Sequence, residues 1–163
     1  MDIERILSLR KIKGISDYQF GPEITDVLFE NEDEIRIEYS KNTGKIKHVY
    51  KDDELILNYR PTNGFFTLSL YSAFKIIEKV PPPTLRVTVL NDISEFIKKG
   101  RNVFCKHVVA INDDLRPLDE VIVVNENDEL LAVGKLKIPV PYVKDFDTGV
   151  AVRVRRGIEK SKI

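Results

Sequence analysis

The sequence predicts an α+β protein in two parts. An N-terminal α+β domain with an antiparallel meander sheet comes first, and a small mixed β-barrel follows it. Three observations predict this. Apolar residues recur near helical spacing at the start and then alternate with polar ones from Ile35 onward. The run Pro81-Pro82-Pro83 stiffens the chain midway and ends any helix before it. Beyond it, further short β-rich runs are separated by turn residues. The boundaries that follow are residues 1–80 and 84–158 for the two domains. Residues 81–83 form a proline linker and 159–163 a tail.

Each element has its own signal. Ile3, Ile6, Leu7 and Leu9 lie near helical spacing from Ile3 to Lys11, with Asp2 as N-cap and Gly14 as the stop. Pro22 suits the first turn of a second helix, from Pro22 to Phe29. Ile35, Ile37 and Tyr39 then alternate with Glu34, Arg36 and Glu38. After the turn Lys41–Gly44, Ile46, His48 and Tyr50 share a face, which predicts a hairpin with Gly44 at positive φ. Strands Glu54–Tyr59 and Phe65–Leu70 flank Asn63-Gly64. A helix then runs to Val80, burying Leu70, Ala73, Phe74 and Ile77.

The second half opens with a strand, Leu85–Val89. A helix capped by Asn91 or Asp92 reaches Lys99, with Ile93, Phe96 and Ile97 inward, and Gly100 ends it. Strands follow at Val103–Ile111, Glu120–Asn125 and Glu129–Ile138. A helical turn at Tyr142–Phe146 precedes a last strand, Val150–Arg155.

Composition narrows the function. The chain has 163 residues, 42% hydrophobic and 32% charged, which is globular. No run of about 18 apolar residues is present, so no membrane helix is expected. The N-terminus lacks the pattern of a signal peptide. One cysteine, Cys105, excludes an internal disulfide and a cysteine-rich zinc site. A cytoplasmic protein with no membrane partner is expected. Net charge is zero, which argues against indiscriminate polyanion binding. Of 26 Lys/Arg and 26 Asp/Glu, 13 and 10 lie from Phe96 onward, so the C-terminal part is the more basic one.

No catalytic, metal or cofactor set emerges. His48 and His107 have no third ligand at metal spacing. His48 reads as a partly buried sheet residue and Cys105 as a buried structural one. Asp113-Asp114 and Asp145/Asp147 read as solvated turns. The basic residues carry more. Lys98 and Lys99 precede Arg101 and Lys106 around the start of one strand. Arg153, Arg155, Arg156, Lys160 and Lys162 belong to or follow the last strand. Arg153 and Arg155 are expected on one face, since strand side chains alternate with period two. Guanidinium groups fixed on a strand suit bidentate contact with phosphates. A charged, solvated strand edge is the competing reading.

From Gly100 to Ile158 the order of these motifs resembles the PUA domain, a small RNA-binding barrel. The fold class is then a PUA-type mixed β-barrel behind the α+β domain. The segments Gly14–Gly21, Tyr39–Tyr50 and Leu57–Leu68 resemble the non-catalytic domain that precedes PUA in archaeal tRNA-guanine (archaeosine) transglycosylase. The similarity runs from about Leu9 to Ile158, nearly the whole chain. What departs is the catalytic part: the chain is too short for a barrel of about 250 residues, and one cysteine cannot make the family's zinc site.

The resemblance implies a non-enzymatic tRNA-binding tail without its catalytic head. It would be a split subunit, a standalone paralogue or an adaptor for another tRNA-modifying enzyme. Its partners would be tRNA, gripped at the acceptor stem, or other structured RNA, and a catalytic transglycosylase subunit. The expected RNA-binding residues are Arg101, Lys106, Lys135, Arg153, Arg155 and Arg156. Phe104 and Tyr142 are assigned to the core, with base stacking as their other role. The alternative is a protein-docking subunit that uses the N-terminal sheet and whose PUA domain has no RNA role.

Overall fold

The computed structural model describes residues 2–159, in two compact units that divide between Val80 and Pro81. The first unit begins with α1 (Ile3–Phe20) and α2 (Pro22–Leu28). Asp2 caps α1 by accepting the Arg5 N–H at 3.1 Å. Gly14 does not stop this helix. The buried stripe Leu9, Ile12, Ser16 and Phe20 runs past it, and packing outweighs the roughly 1 kcal/mol by which glycine trails alanine in a helix. The stop is Gly21, at φ 94°. Ile3, Ile6 and Leu7, expected on the apolar face, are exposed.

Four antiparallel strands follow in sequence order: β1 (Ile35–Tyr39), β2 (Ile46–Lys51), β3 (Glu54–Arg60) and β4 (Phe65–Leu68). Gly44 takes φ 70° in the first turn, as the Asn-Thr-Gly sequence requires. Pairing aligns Ile37, Val49, Leu57 and Leu68 in one row across all four strands. The helix α3 (Leu70–Lys79) packs on β3 and α2, and α1 packs on β4 and α2. The buried face of α3 is Ser72, Ala73 and Ile76, whereas Phe74 is exposed. The expected face is therefore rotated. Buried Ser72 earns its place by donating to the Ile56 carbonyl at 2.7 Å.

Gln19 closes the β4 edge of the sheet. Its amide donates to the Phe66 carbonyl at 2.7 Å and accepts the Phe66 N–H at 2.9 Å. A side chain here substitutes for a fifth strand.

The second unit is a mixed, barrel-like sheet of six strands in the order β6-β10-β9-β8-β5-β7. These are β5 (Arg86–Val89), β6 (Val103–Phe104), β7 (Val108–Ile111), β8 (Glu120–Val124), β9 (Leu130–Leu136) and β10 (Val150–Gly157). Among the described residues, only β5 and β8 pair in parallel. Two short helices, α4 (Ser94–Lys98) and α5 (Val140–Asp145), complete the unit. Phe96, expected inward on α4, is exposed, and Ile97 carries the burial.

The apolar run Val103–Ile111 is not one strand. A 3-10 turn at Cys105–His107 divides it, because its first part pairs with β10 and its second with β5. These pairings lie at opposite edges of the sheet, so the turn carries the chain across the gap. At the parallel strand, Arg86 is 1% exposed. Its guanidinium makes two 3.2 Å contacts with Asp128 and donates to the Thr84 carbonyl at 2.9 Å.

Candidate nucleic-acid interface

The last strand organises the basic residues. Glu120 on β8 lies opposite Lys135 on β9, and Lys135 opposite Arg153 on β10. Glu120 is buried, Lys135 half-buried and Arg153 exposed. Beyond Arg153 the register slips: Val154 faces Gly134, but Arg156 faces Val133. Arg155 is thus the extra residue of a β-bulge, which re-aims side chains. Arg155 is half-buried and its guanidinium meets the Glu120 carboxylate at 2.7 and 2.9 Å. A guanidinium so engaged holds the fold first.

The loop after α4 joins the same strand. Asn102 Oδ1 accepts the Val154 N–H at 3.0 Å, which brings Arg101 alongside the bulge. Gly157 lets β10 abut the end of α4, since a Cβ there would lie 2.1 Å from the Lys98 carbonyl oxygen. Arg101, Lys135, Arg153 and Arg156 therefore gather along one strand, with Lys98 near its end. Lys106 does not join them. It sits in the 3-10 turn, whose Cys105 N–H donates to the Gly149 carbonyl. Four residues of strand, roughly 13 Å, separate that point from Arg153. Lys160 and Lys162 lie outside the described residues.

Phe104 and Tyr142 are not in the core; they are 44% and 51% exposed. Tyr142 stacks on Phe146 at 5.3 Å with rings 5° from parallel, and Phe104 meets His107 edge-on at 6.2 Å. α5 packs against the 3-10 turn, so both pairs stand on neighbouring elements close to Lys106. Phe146 was not among the residues the sequence singled out, and His107 was weighed there only as a metal ligand. The Tyr142–Phe146 spacing of four on a helix was the available signal. Cys105 is buried, and burial pushes its thiol up, away from the reactive thiolate. His48 hydrogen-bonds Asn58 across β2 and β3. Among the described residues no group of three or more His, Cys, Asp or Glu is placed to hold a metal. Among the same residues, no helix is long and apolar enough to cross a membrane.

Comparison with known proteins accounts for both units. Residues 10–83 match the patch-forming domain C2 of tRNA-guanine transglycosylase, and residues 85–158 match the PUA domain. The tRNA-guanine(15) transglycosylase of Methanobrevibacter smithii is 43% identical over 152 residues, 93% of this chain and 23% of that protein. The Methanothermobacter thermautotrophicus protein of the same name is 38% identical over 149 residues, 91% of this chain and 22% of its own. The chain thus spans about a quarter of the length of these relatives. Among solved structures, a hypothetical protein of Pyrococcus horikoshii superposes with a TM-score of 0.74 at 21% identity, covering 93% and 90% of the two chains. A conserved PUA domain protein of Thermoplasma acidophilum gives 0.65 at 18%, covering 95% and 91%. These two show a shared fold. The chain belongs to the tRNA-guanine transglycosylase C2 and PUA families, and it is homologous to the C-terminal part of the archaeal enzymes. The catalytic part of those enzymes is not among the regions matched.

Proposed function

We propose that this chain binds structured RNA, with the tRNA acceptor stem as its main target. In this reading it is the RNA-gripping, non-catalytic part of a transglycosylase-type tRNA-modifying system. The observation that carries the reading is the row of cationic side chains on β10 and its neighbours. Arg101, Arg153 and Arg156 are exposed and Lys135 half-buried; Arg153 and Arg156 stand on β10, Lys135 on β9 and Arg101 in the loop after α4. Guanidinium groups held this way suit phosphates presented at helix spacing. Such contacts read the shape of a stem and little of its sequence. Lys106, with Phe104 close by, offers a second contact zone where an unpaired base could stack. Arg155 contributes by fixing the bulge. The catalytic step belongs to a partner or to a further segment, as the relatives' extra length supports.

The docking alternative has a specific observation of its own. Ile3, Leu7 and Tyr18 are exposed along α1, at 67%, 54% and 82%. This apolar side is on a helix rather than on the sheet, and it suits a protein partner in addition to RNA.

The test is fluorescence anisotropy with labelled tRNA, an acceptor-stem minihelix and an unstructured RNA of equal length, at two salt concentrations. Stem-containing RNAs should bind in preference, and binding should fall steeply with salt. No binding at low salt, or equal binding to the unstructured RNA, removes this reading and leaves docking as the function.

A further inference from the structure

A cavity of about 150 Å³ opens in the first unit between α2, the end of β2, β3 and α3. One water needs roughly 10–15 Å³ measured the same way, so a phosphate-sized group fits. Its floor is apolar, with Leu28 and Ile56 buried beneath it. Its wall is cationic. Tyr71, Lys75 and Lys79 stand four residues apart on α3, one stripe along the helix, and Lys51 faces the cavity from the end of β2. The Lys75 ammonium lies 5.6 Å over the Tyr71 ring and 3.8 Å from Glu78. Glu30 is the carboxylate on the lining.

This concentration runs against the composition around it. Residues 1–80 hold 12 Lys/Arg and 14 Asp/Glu, a net of −2, while the lining sets three lysines against one glutamate. Glu78 offsets part of the Lys75 charge and Glu30 shares the lining, so the three lysines leave a modest cationic excess around the opening that an anion would offset. A phosphoryl group offers several acceptor oxygens to those donors, and the tyrosine hydroxyl adds another donor.

We propose that this cavity seats a single phosphoryl group, presented by an RNA backbone or by a free phosphate. The site is separate from the β10 face and does not depend on it. The experiment uses the full ¹⁵N-labelled chain. Its amide signals are followed during titration with inorganic phosphate, chloride being adjusted to hold ionic strength constant, and in parallel with a short RNA stem.

Saturable shifts are expected at Lys51, Tyr71, Lys75 and Lys79. Lys75→Gln/Lys79→Gln should weaken them about tenfold, since charged hydrogen bonds are lost. If the RNA stem moves the same amides, the backbone phosphate is the source. If only inorganic phosphate moves them, the ligand is a free phosphate. Both results support the seat. Absence of saturable shifts with either probe overturns it, as do shifts undiminished in the double variant. Lys51→Gln, on a different element, repeats the comparison should the α3 variant not fold. Failure of the β10 reading would show at Arg101 and Arg153–Arg156, which are different amides.

Discussion

Arg155 on β10 and Glu120 on β8 form a two-point ion pair over the intervening β9, with N–O distances of 2.7 and 2.9 Å. The Glu120 side chain is 2% exposed, against 27% for Arg155. Removing the arginine would take a two-point charged partner from a buried carboxylate. Arg155→Ala should therefore cost about 3 kcal/mol. Arg153→Ala, at an exposed position two residues away, should stay within about 0.5 kcal/mol. Urea unfolding of both variants checks this. Equal stabilities would mean that Glu120 finds enough compensation elsewhere.

That asymmetry dictates how the RNA face is tested. Reversing Arg155 would confuse lost folding with lost binding, so the informative double variant is Arg153→Glu/Arg156→Glu. Its affinity should fall for all stem-containing tRNAs alike, and the salt slope should drop by about one per contact removed. Lys11→Glu/Lys13→Glu, in the first unit, is the comparison. Dissociation constants at two salt concentrations decide between them. A Lys11/Lys13 effect as large as the other would place the RNA site away from β10.

The sheet strands were legible because alternation and turn chemistry agreed. Lys41–Gly44 and Asn63-Gly64 mark two of the three hairpins, and Ile35–Tyr39 alternates cleanly. Interruptions set by distant pairing were not legible. Val103–Ile111 contains no glycine or proline, yet it breaks because its halves pair at opposite sheet edges. The basic cluster was visible as composition, but not the division of labour within it. Nothing local in Arg153-Val154-Arg155-Arg156 shows that the third residue bulges and turns to a glutamate 35 positions away. Phe104 and Tyr142 were placed inside because they sit in apolar runs. Their exposure follows from the 3-10 turn and from the short α5, which their sequence does not announce.

Two glycines should respond oppositely to alanine. At Gly14, inside α1, a Cβ meets nothing within 4 Å. Gly14→Ala should stabilise by about 0.5–1 kcal/mol, because it removes backbone entropy from the unfolded chain. At Gly134 a Cβ would lie 2.3 Å from the Arg153 carbonyl oxygen and 2.9 Å from Val154 Cα. Strand β10 would have to move, at a cost of about 1–3 kcal/mol or more. Thermal melts of the two variants give the signs directly. A destabilising Gly14→Ala would contradict the continuous helix.

Asp119 gives the second unit a pH dependence. Burial raises its carboxyl above the ordinary aspartate value, against the opposing Arg116 N–H hydrogen bond of 2.8 Å and the nearby Arg116 charge. The native state therefore holds this proton more tightly than the unfolded state does. The resulting stability is fully present below the ordinary aspartate value and is lost as pH rises through the raised one. Asp119→Asn cannot titrate. The stability of the parent minus that of the variant should fall with rising pH across the acid range and then level off. A difference that rises with pH would reverse the assigned shift.

The proline run bears on folding of the two units. Each has its own sheet, β1–β4 in one and β5–β10 in the other. Each also has its own buried cluster, centred on Val49, Leu57 and Ile76 in the first and on Val87, Ile122 and Leu131 in the second. A unit with its own core meets the physical requirement for folding alone. Residues 84–163 expressed by themselves should therefore unfold cooperatively and keep near-native amide spectra. The same fragment should retain most of the stem-RNA affinity, because Arg101, Lys135, Arg153 and Arg156 all lie within it. A folded fragment with no RNA affinity would transfer the binding to the first unit, where the Lys51, Lys75 and Lys79 cavity is the next place to test.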